Sequence, residues 1–485
     1  MIETIEKSRL FRIANPRSMV FFGASNSIQA MGTNLLMSVQ SLGYQGTVYP
    51  VHLKEENVLG QKAYRSVLDL PEVPDLAVIV LPTKVVNQTL EECGKKGIKQ
   101  AIVVSGGFRE GGEEGIAREK ELVGIAEKYG IRILGPNCIG VANPSFKLNT
   151  TFVPHEGPGG FIGLASQSGS FVTQMFNYLH RYGLGFSTAF SVGNEAVIDL
   201  VECMEYLGAC PQTKVIALYI EGIKRGRAFI ETARSIVPHK PIVAFYVGGS
   251  EAGRKAGFSH TGSMAGPDRI YDGMFEQCGI IRAGSITELF DFCWVLGGLP
   301  RPKGNRVVIQ THSGGPGAAA ADACGRVGLV LPDLSQETTE KLAEFVPHTG
   351  SVINPVDLTF SKNQDDFFSN IPGVLIKGKE TDTLLVYFLT APKTVERTLT
   401  LMGIQQDAIE DMSRQWIETQ CELMAGLLET NTKPVVGFTF LSLKERSIKG
   451  LISRGIPVFP SPNRAAQAIA AMVKYSNHLS LKNCN

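Results

Sequence analysis

The sequence has almost no excess charge of either sign, with 47 Lys and Arg residues against 46 Asp and Glu. It also lacks an apolar run of the ~18 residues that a membrane-spanning helix needs, and its first residues lack the apolar core of a secretory leader. Balanced charge excludes the strongly basic surface that binding to nucleic acid or to an anionic membrane requires. We therefore expect a cytoplasmic protein that binds neither nucleic acid nor membrane.

Paired cysteines are lacking as well. The nine cysteines are scattered along the chain, and no two have the Cys-x-x-Cys spacing of a zinc or redox site. An odd number of widely spaced cysteines also argues against a disulfide framework. We expect buried thiols in a reducing compartment, and we assign no metal ligand to this chain.

Short runs rich in Val and Ile alternate with longer amphipathic stretches through most of the chain, for example at 19–22, 76–81, 215–220, 241–247 and 383–389. Near-continuous apolar strands separated by helices are typical of parallel sheets covered on both faces. Turn-rich links at 154–160 and 297–305 divide the chain. The sequence thus predicts an α/β fold of three doubly wound domains, at 1–150, 151–300 and 301–485.

The first domain opens like a nucleotide-binding fold, with Gly23, Ala24 and Ser25 between a strand and a helix. Backbone N–H groups and the helix dipole at such a turn favour a phosphate. The turn is not Gly-x-Gly-x-x-Gly, and the second strand is followed by Lys54 instead of the acidic residue that binds the ribose of NAD. A lysine suits the extra ribose phosphate of coenzyme A, so CoA fits better than NAD. The alternative for Lys54 is a solvated loop charge.

Later strand ends in the same domain supply further candidates for a cofactor groove: Leu81, Pro82, Ser105, Gly106, Phe108 and Asn137. Each lies in a turn of a common type, and only together do they predict a groove for a long cofactor. Phe108, Phe152 and Phe190 are the candidates for the walls of an acyl pocket.

Two further turns have the composition of an anion site at a helix N-terminus. The first, in the second domain, consists of Ser166, Gln167, Ser168, Gly169 and Ser170. An ordinary serine cap is the alternative there. The second, in the third domain, contains Gly314, Gly315 and Gly317 ahead of a helix of small residues. Packing of that helix against another element is compatible with the same interpretation.

One histidine, His260, lies in a glycine-flanked loop after the apolar run 241–247, and Glu221 ends the run 215–220. The carboxyl ends of parallel strands share one edge of a sheet, where open α/β folds place their sites. A neutral imidazole held in one tautomer by a carboxylate can act as a nucleophile. We predict that His260 carries a phosphoryl group and that Glu221 supports it. Glu195 and Asp199 are weaker alternatives, and Glu221 could also be a surface acid.

Taken together, these motifs resemble the α subunit of ADP-forming acyl-CoA synthetases, which are relatives of succinyl-CoA synthetase. The resemblance covers essentially the whole chain. It is carried by Ser259-His260-Thr261-Gly262, Ser166-Gln167-Ser168-Gly169, Gly135-Pro136-Asn137 and Ser313-Gly314-Gly315-Pro316-Gly317. It implies a Rossmann-like CoA-binding domain followed by two flavodoxin-like ligase domains.

The resemblance also implies an acid–thiol ligase that reversibly converts acyl-CoA, ADP and phosphate to a carboxylic acid, CoA and ATP. Acyl phosphate and phosphohistidine at His260 would be the intermediates, with Glu221 supporting the histidine. The turns at 166–170 and 314–317 match the family's phosphate-facing helices. Relatives often carry Asn-Pro before the lysine that Lys54 matches, and this chain does not, so the exact contacts to the CoA phosphate stay open.

The family's nucleotide-binding ATP-grasp domains are not recognisable in the chain, and no Gly-x-x-x-x-Gly-Lys-[Ser/Thr] loop occurs. The resemblance therefore implies a separate ATP-grasp β subunit in an α2β2 hetero-oligomer. ADP or ATP and Mg²⁺ would bind there, with the metal held through the nucleotide phosphates. Two alternatives from other classes are a non-catalytic CoA-sensing module and a nicotinamide-dependent oxidoreductase.

Overall fold

The computed structural model describes residues 4–153, 159–251, 253, 266–359, 363 and 365–483. The chain divides into two compact units. Unit 1 comprises Met1–His180 and Leu184–Leu289, and unit 2 comprises Arg181–Gly183 and Phe290–Asn485. The first two predicted domains fall in unit 1 except for residues 181–183 and 290–300, so their boundary near residue 150 stays a prediction.

The first sheet of unit 1 is parallel and five-stranded, in the order β2-β1-β5-β6-β7. The first seven strands of the chain are β1 (Ser18–Phe22), β2 (Thr47–Val51), β3 (Asn57–Val58), β4 (Gln61–Lys62), β5 (Leu76–Ile79), β6 (Gln100–Val103) and β7 (Arg132–Leu134). The helices here are α1 (Phe11–Ala14), α2 (Met31–Ser41), α3 (Thr83–Lys96) and α4 (Glu113–Tyr129). Because β2 and β5 lie on opposite sides of β1, the strand order reverses there, which is where such folds bind ligands.

The second sheet of unit 1 has seven strands in the order β14-β13-β12-β10-β11-β8-β9. Its strands are β8 (Gly140–Asn143), β9 (Leu148–Asn149), β10 (Ile162–Ser166), β11 (Phe186–Ser191), β12 (Val215–Ile220), β13 (Ile242–Tyr246) and β14 (Ile281–Ala283). Helices α5 (Gly169–His180), α6 (Leu200–Ala209), α7 (Gly226–Ile236) and α8 (Asp268–Cys278) accompany it, and α9 (Ile286–Gly298) begins in unit 1 and ends in unit 2. Strands β10 to β14 are parallel, and the order reverses between β10 and β12.

The edge of this second sheet differs from the simple parallel pattern. Strand β8 pairs antiparallel with β11, and β9 pairs antiparallel with β8. By the predicted boundaries these residues belong to the first domain, but their backbone hydrogen bonds belong to the second sheet. The partner of such a strand cannot be predicted from a short apolar stretch of sequence, because the same stretch can pair with either sheet.

Unit 2 contains a third parallel sheet, in the order β16-β15-β17-β18-β19. Its strands are β15 (Val307–Thr311), β16 (Val356–Asp357), β17 (Thr383–Tyr387), β18 (Val435–Phe438) and β19 (Val458–Phe459). Its helices are α10 (Gly314–Arg326), α11 (Gln336–Ala343), α12 (Asp365–Phe368), α13 (Asn370–Lys377), α14 (Pro392–Leu401), α15 (Gln406–Thr430), α16 (Arg446–Ser453) and α17 (Pro462–Asn483). The predicted α/β class with three doubly wound sheets is therefore confirmed.

Apolar burial explains why the predicted runs form strands. All residues of β1, β10, β15 and β17 are buried, as expected for strands covered on both faces. All eight cysteines within the described ranges are buried and free of disulfides. Across the described ranges, no helix is long and apolar enough to cross a membrane.

Candidate active site

A cavity of about 870 Å³ lies in unit 1, and loops from both of its large sheets line it. From the first sheet come Leu81, Pro82, Ser105, Gly106 and Asn137. From the second sheet come Gln167, Ser168, Gly169, Ser170, Glu195, Glu221 and Lys224. The structure thus brings most of the predicted cofactor and phosphate residues of unit 1 to one space.

The turn after β1 begins at a glycine for a steric reason. Gly23 has a φ of +92°, and a Cβ atom there would lie 1.9 Å from the carbonyl oxygen of Val80. Thr33 of α2 accepts the N–H of Ser25 at 3.0 Å and donates its hydroxyl to the carbonyl of Ser25 at 2.9 Å. Gly23, Ala24 and Ser25 are therefore held against β5 and α2, next to the cavity residue Met31.

Several predicted ligand contacts lie elsewhere. Lys54 is exposed and does not line the cavity. Phe108 and Phe190 are completely buried in the protein core, so of the three phenylalanines proposed for the acyl pocket only Phe152 lines the cavity. Phe108 and Phe190 pack in the core because burying a phenyl ring against other side chains is more favourable than leaving it at the wall of a solvated cavity.

The serine turn at the end of β10 folds on itself. Ser166 is fully buried, and its hydroxyl donates to the carbonyl of Ser168 at 2.8 Å while accepting the N–H of Ser168 at 3.2 Å. Helix α5 then begins at Gly169, and Ser168, Gly169 and Ser170 face the cavity. The start of this helix therefore directs a positive dipole end toward the space.

Strand β12 lies beside β10, with Ser166 opposite Tyr219, so Glu221 emerges next to the serine turn. The helix N-terminus and Glu221 consequently border one cavity. His260, the predicted phosphoryl carrier, lies outside the described residues.

Glu195 also lines the cavity, although the residue is only 5% exposed. It adopts a left-handed backbone with φ 53°. Burial raises the pKa of its carboxyl group to about 7, against the opposing charge of Lys224. A carboxyl group with a pKa near neutrality in a cleft is a common feature of functional sites.

Two cationic side chains that the sequence analysis did not single out contribute to the wall: Arg109 and Lys224. Lys224 donates to the carbonyl oxygens of Asn194 and Glu195, and the guanidinium of Arg109 lies 3.7 Å from the carboxylate of Glu119. Partial desolvation, followed by the charge of Arg109, lowers the pKa of Lys224. Lys224 comes three residues after Glu221, which was the available signal, but a lysine in a loop is usually only solvated.

The second predicted anion turn belongs to unit 2, where Gly314, Gly315 and Gly317 begin α10. Before it, the ring of His312 stacks on Phe367 with centroids 3.6 Å apart. Burial lowers the pKa of His312 to about 4, and its Nε2 atom is buried without a hydrogen-bond partner among the described residues. His312 is therefore a neutral ring at pH 7.

Three family models match the chain in the order expected. A CoA binding domain covers residues 17–144, a succinyl-CoA ligase like flavodoxin domain covers 158–296, and a ligase-CoA domain covers 307–419. The α subunit of ADP-forming acetate–CoA ligase II from Pyrococcus furiosus is 39% identical over 467 residues, which is 96% of this chain and 97% of that subunit. The chain belongs to the ADP-forming acetate–CoA ligase family.

Other members of the ADP-forming acetate–CoA ligase family show two lengths. Acetate–CoA ligase (ADP-forming) I of Archaeoglobus fulgidus is 36% identical over 96% of this chain, but the match spans only 63% of that protein. Among solved structures, the acetyl-coenzyme A synthetase 1 of Candidatus Korarchaeum cryptofilum in complex with phosphate and ADP has a TM-score of 0.87. It is 31% identical, with 98% of this chain and 99% of that chain covered. The predicted family, with its ligase and CoA-binding folds, is confirmed.

Proposed function

We propose that this chain is the α subunit of an ADP-forming acyl-CoA synthetase that uses His260 as a phosphoryl carrier. The observation that carries this proposal is the single cavity bordered by the start of α5, by Glu221 and by the loops of the CoA-binding sheet. A thioester, a phosphate and a carboxylate can meet in such a space. The name of the related α subunit, ADP-forming acetate–CoA ligase, describes the same overall reaction and supports the proposal.

In the proposed reaction, an oxygen of inorganic phosphate attacks the thioester carbonyl of acyl-CoA. The carbon–sulfur bond breaks, and the CoA thiolate takes up a proton. An imidazole nitrogen of His260 then attacks the phosphorus of the acyl phosphate, and the carboxylate leaves with the bridging oxygen. Finally, a β-phosphate oxygen of ADP takes the phosphoryl group from His260, which gives ATP.

The described residues of unit 1 would act mainly by electrostatics and positioning. The N–H groups of Gly169 and Ser170, together with the hydroxyl of Ser168, would stabilise negative charge on the phosphoryl oxygens. The carboxylate of Glu221 would orient the imidazole and stabilise its cationic form. We propose the same anion-binding role for the start of α10, with Gly314, Gly315 and Gly317, when phosphate or nucleotide chemistry occurs there.

For CoA, we propose the groove formed by the turn at Gly23, Ala24 and Ser25 together with Leu81, Pro82, Ser105, Gly106 and Asn137. Five of these residues line the cavity, so the thioester end of CoA would reach the phosphate site. A contact of Lys54 with the ribose phosphate of CoA remains part of the proposal.

We further propose a separate β subunit with ATP-grasp domains, in an α2β2 assembly. Two observations support this division. A Pyrococcus furiosus relative that is matched over 97% of its length is named a subunit alpha, whereas the match covers only 63% of the Archaeoglobus fulgidus protein. ADP or ATP and its Mg²⁺ would bind to the partner, with the metal held by the nucleotide phosphates.

The test is to incubate the chain with acetyl-CoA and ³²P-phosphate, followed by mapping of the label at alkaline pH. We expect an acid-labile label on His260, its loss in His260→Asn, and unchanged CoA affinity in that variant. A label on another residue would refute the assignment. CoA binding without any label would favour the CoA-sensing module instead.

A further inference from the structure

The side chain of Gln167 is fully occupied by bonds within the protein. Its Oε1 atom accepts the backbone N–H groups of Glu221 and Gly222. Its Nε2 atom donates to the carbonyl oxygen of Gly222 at 2.7 Å and to the carboxyl group of Glu195 at 3.0 Å. A primary amide has two N–H donors and two acceptor lone pairs, so no capacity is left for a phosphate. The backbone N–H groups can only meet an oxygen, which fixes the orientation of the amide.

Glu195 in turn is held from three sides. Its Oε1 atom accepts the N–H of Leu200, the first residue of α6, at 2.8 Å. Its backbone carbonyl accepts from Lys224 at 2.7 Å, and the next residue, Ala196, donates its N–H to Gly135 at 3.0 Å. A non-glycine residue in the left-handed region costs ~1–2 kcal/mol, so the surrounding bonds keep the Glu195 side chain directed at Gln167.

The neighbouring Asn194 extends this arrangement to the CoA-binding sheet. Its Nδ2 atom donates to Glu110 at 2.6 Å and to Glu119 at 2.9 Å. Glu110 accepts the N–H groups of Gly107 and Phe108, which follow the predicted cofactor residues Ser105 and Gly106. A continuous set of hydrogen bonds therefore runs from the CoA loop through the 194–195 turn to the end of β12.

We propose that Glu195 and Gln167 are positioning residues for phosphoryl transfer: the carboxylate of Glu195 holds the amide of Gln167, which fixes the Glu221–Gly222 turn against the start of α5. This role rests on the proposed function, because Glu221 matters here only as the support of a phosphorylated histidine. It differs from the phosphate contact that the sequence suggests for Gln167, since both N–H donors of the amide already have protein acceptors.

Ionisation of Glu195 would strengthen its hydrogen bond to Gln167. A charge-assisted hydrogen bond is about twice as strong as a neutral one, so the Gln167 amide is held more firmly when Glu195 is ionised. The charged groups around Glu195 are Lys224, Asp199 with its partner Arg225, Glu202, Glu221 and, beyond Asn194, Glu110, Glu119 and Arg109. The pKa of Glu195, raised to about 7 by burial, places the change near neutral pH.

The experiment measures the single-turnover rate of His260 phosphorylation by acetyl phosphate, using the full chain, from pH 6 to pH 8. Glu195→Gln keeps the size of the side chain but cannot ionise. If the ionised form reacts about ten times faster than the neutral form, a pKa near 7 makes the ratio of wild-type rate to variant rate rise about fivefold across this range. We expect unchanged CoA affinity. Gln167→Met keeps the length of the side chain and removes all its hydrogen bonds, and we expect a rate at least tenfold lower at every pH.

The matched control is Glu205→Gln. Glu205 is exposed on the same helix, α6, and does not line the cavity, so its variant should keep the wild-type rate and pH profile. If Glu195→Gln does not fold, Gln167→Met carries the test alone. Wild-type kinetics in both cavity variants, with His260 labelled, would overturn the positioning role alone. No label in the unmodified chain would overturn the proposed function and this role together.

Discussion

The ammonium group of Lys224 lies 2.7 Å from the backbone carbonyl oxygen of Glu195 and 2.8 Å from that of Asn194. This lysine therefore holds the left-handed turn that directs the Glu195 side chain toward Gln167. It also supplies positive charge to a cavity that would receive phosphate and carboxylate groups. Lys224 thus both stabilises the 194–195 turn and places a positive charge at the wall of the cavity.

Replacing Lys224 by Met should weaken both effects. Hydrogen bonds from a charged donor contribute ~1.5–3 kcal/mol each, and partial exposure of Lys224 places the expected loss of unfolding free energy near the lower figure. The KM for phosphate in His260 labelling should rise several-fold. Thermal unfolding and labelling kinetics would measure the two effects.

Lys214→Met is the control for that substitution. Lys214 is an exposed lysine next to the opposite end of β12 and does not line the cavity. Equal KM values in the two variants would contradict a role for Lys224 in binding anions.

The unfolding free energy should depend on pH through Glu195. Its folded pKa is raised to about 7, so the folded state binds more protons than the unfolded state between the ordinary glutamate pKa and 7. The contribution of Glu195 to stability is therefore full below about pH 4.3 and is lost as pH rises through 7. Its full size is on the order of 3 kcal/mol. Relative to Glu195→Gln, the wild-type protein should lose stability from pH 5 to pH 8 in denaturant titrations, and a constant difference would contradict this.

The contribution of His312 to stability should be lost as pH falls, whereas that of Glu195 is lost as pH rises. Its pKa is lowered to about 4 by burial, so the unfolded state takes up a proton before the folded state does. Stability from the neutral ring is complete above about pH 6.5 and is lost as pH falls through 4. His312→Phe can retain the stacking on Phe367 and should reduce the loss of thermal stability between pH 7 and pH 5. His348→Phe, at an exposed position of the same unit, should leave that loss unchanged.

Gly23→Ala should be strongly destabilising. The new methyl group would meet the carbonyl oxygen of Val80 at 1.9 Å on a backbone with φ +92°, and neither can be relieved without moving the turn from β5. We expect a loss of at least ~2 kcal/mol of unfolding free energy and weaker CoA binding, measured by denaturation and calorimetry.

Gly111→Ala provides the comparison. A Cβ atom there meets nothing within 4 Å, and its φ lies outside the left-handed region. This variant should retain wild-type stability and CoA affinity. Equal effects of the two substitutions would show that the turn at Gly23 adapts more readily than its geometry indicates.

Local sequence was enough to predict the strands and turns that form the site. The apolar run 215–220 is strand β12 in full, and the run 241–247 contains all of β13. Both predictions depend on apolar runs and on chain-breaking residues nearby, which are properties of adjacent residues. The placement of Ser168 and Glu221 at one sheet edge also followed, because parallel strands end on the same side.

The sequence by itself determined the alternation of strands and helices, the glycine and serine turns, and the family to which their order belongs. Only the tertiary structure decided which side chains those turns direct at one another. Gln167 meets Glu195 across 28 residues of sequence and Gly222 across 55, and β8 joins the second sheet and not the first. These contacts depend on strand order, and strand order is set by the packing of the whole sheet, which no short stretch of sequence encodes.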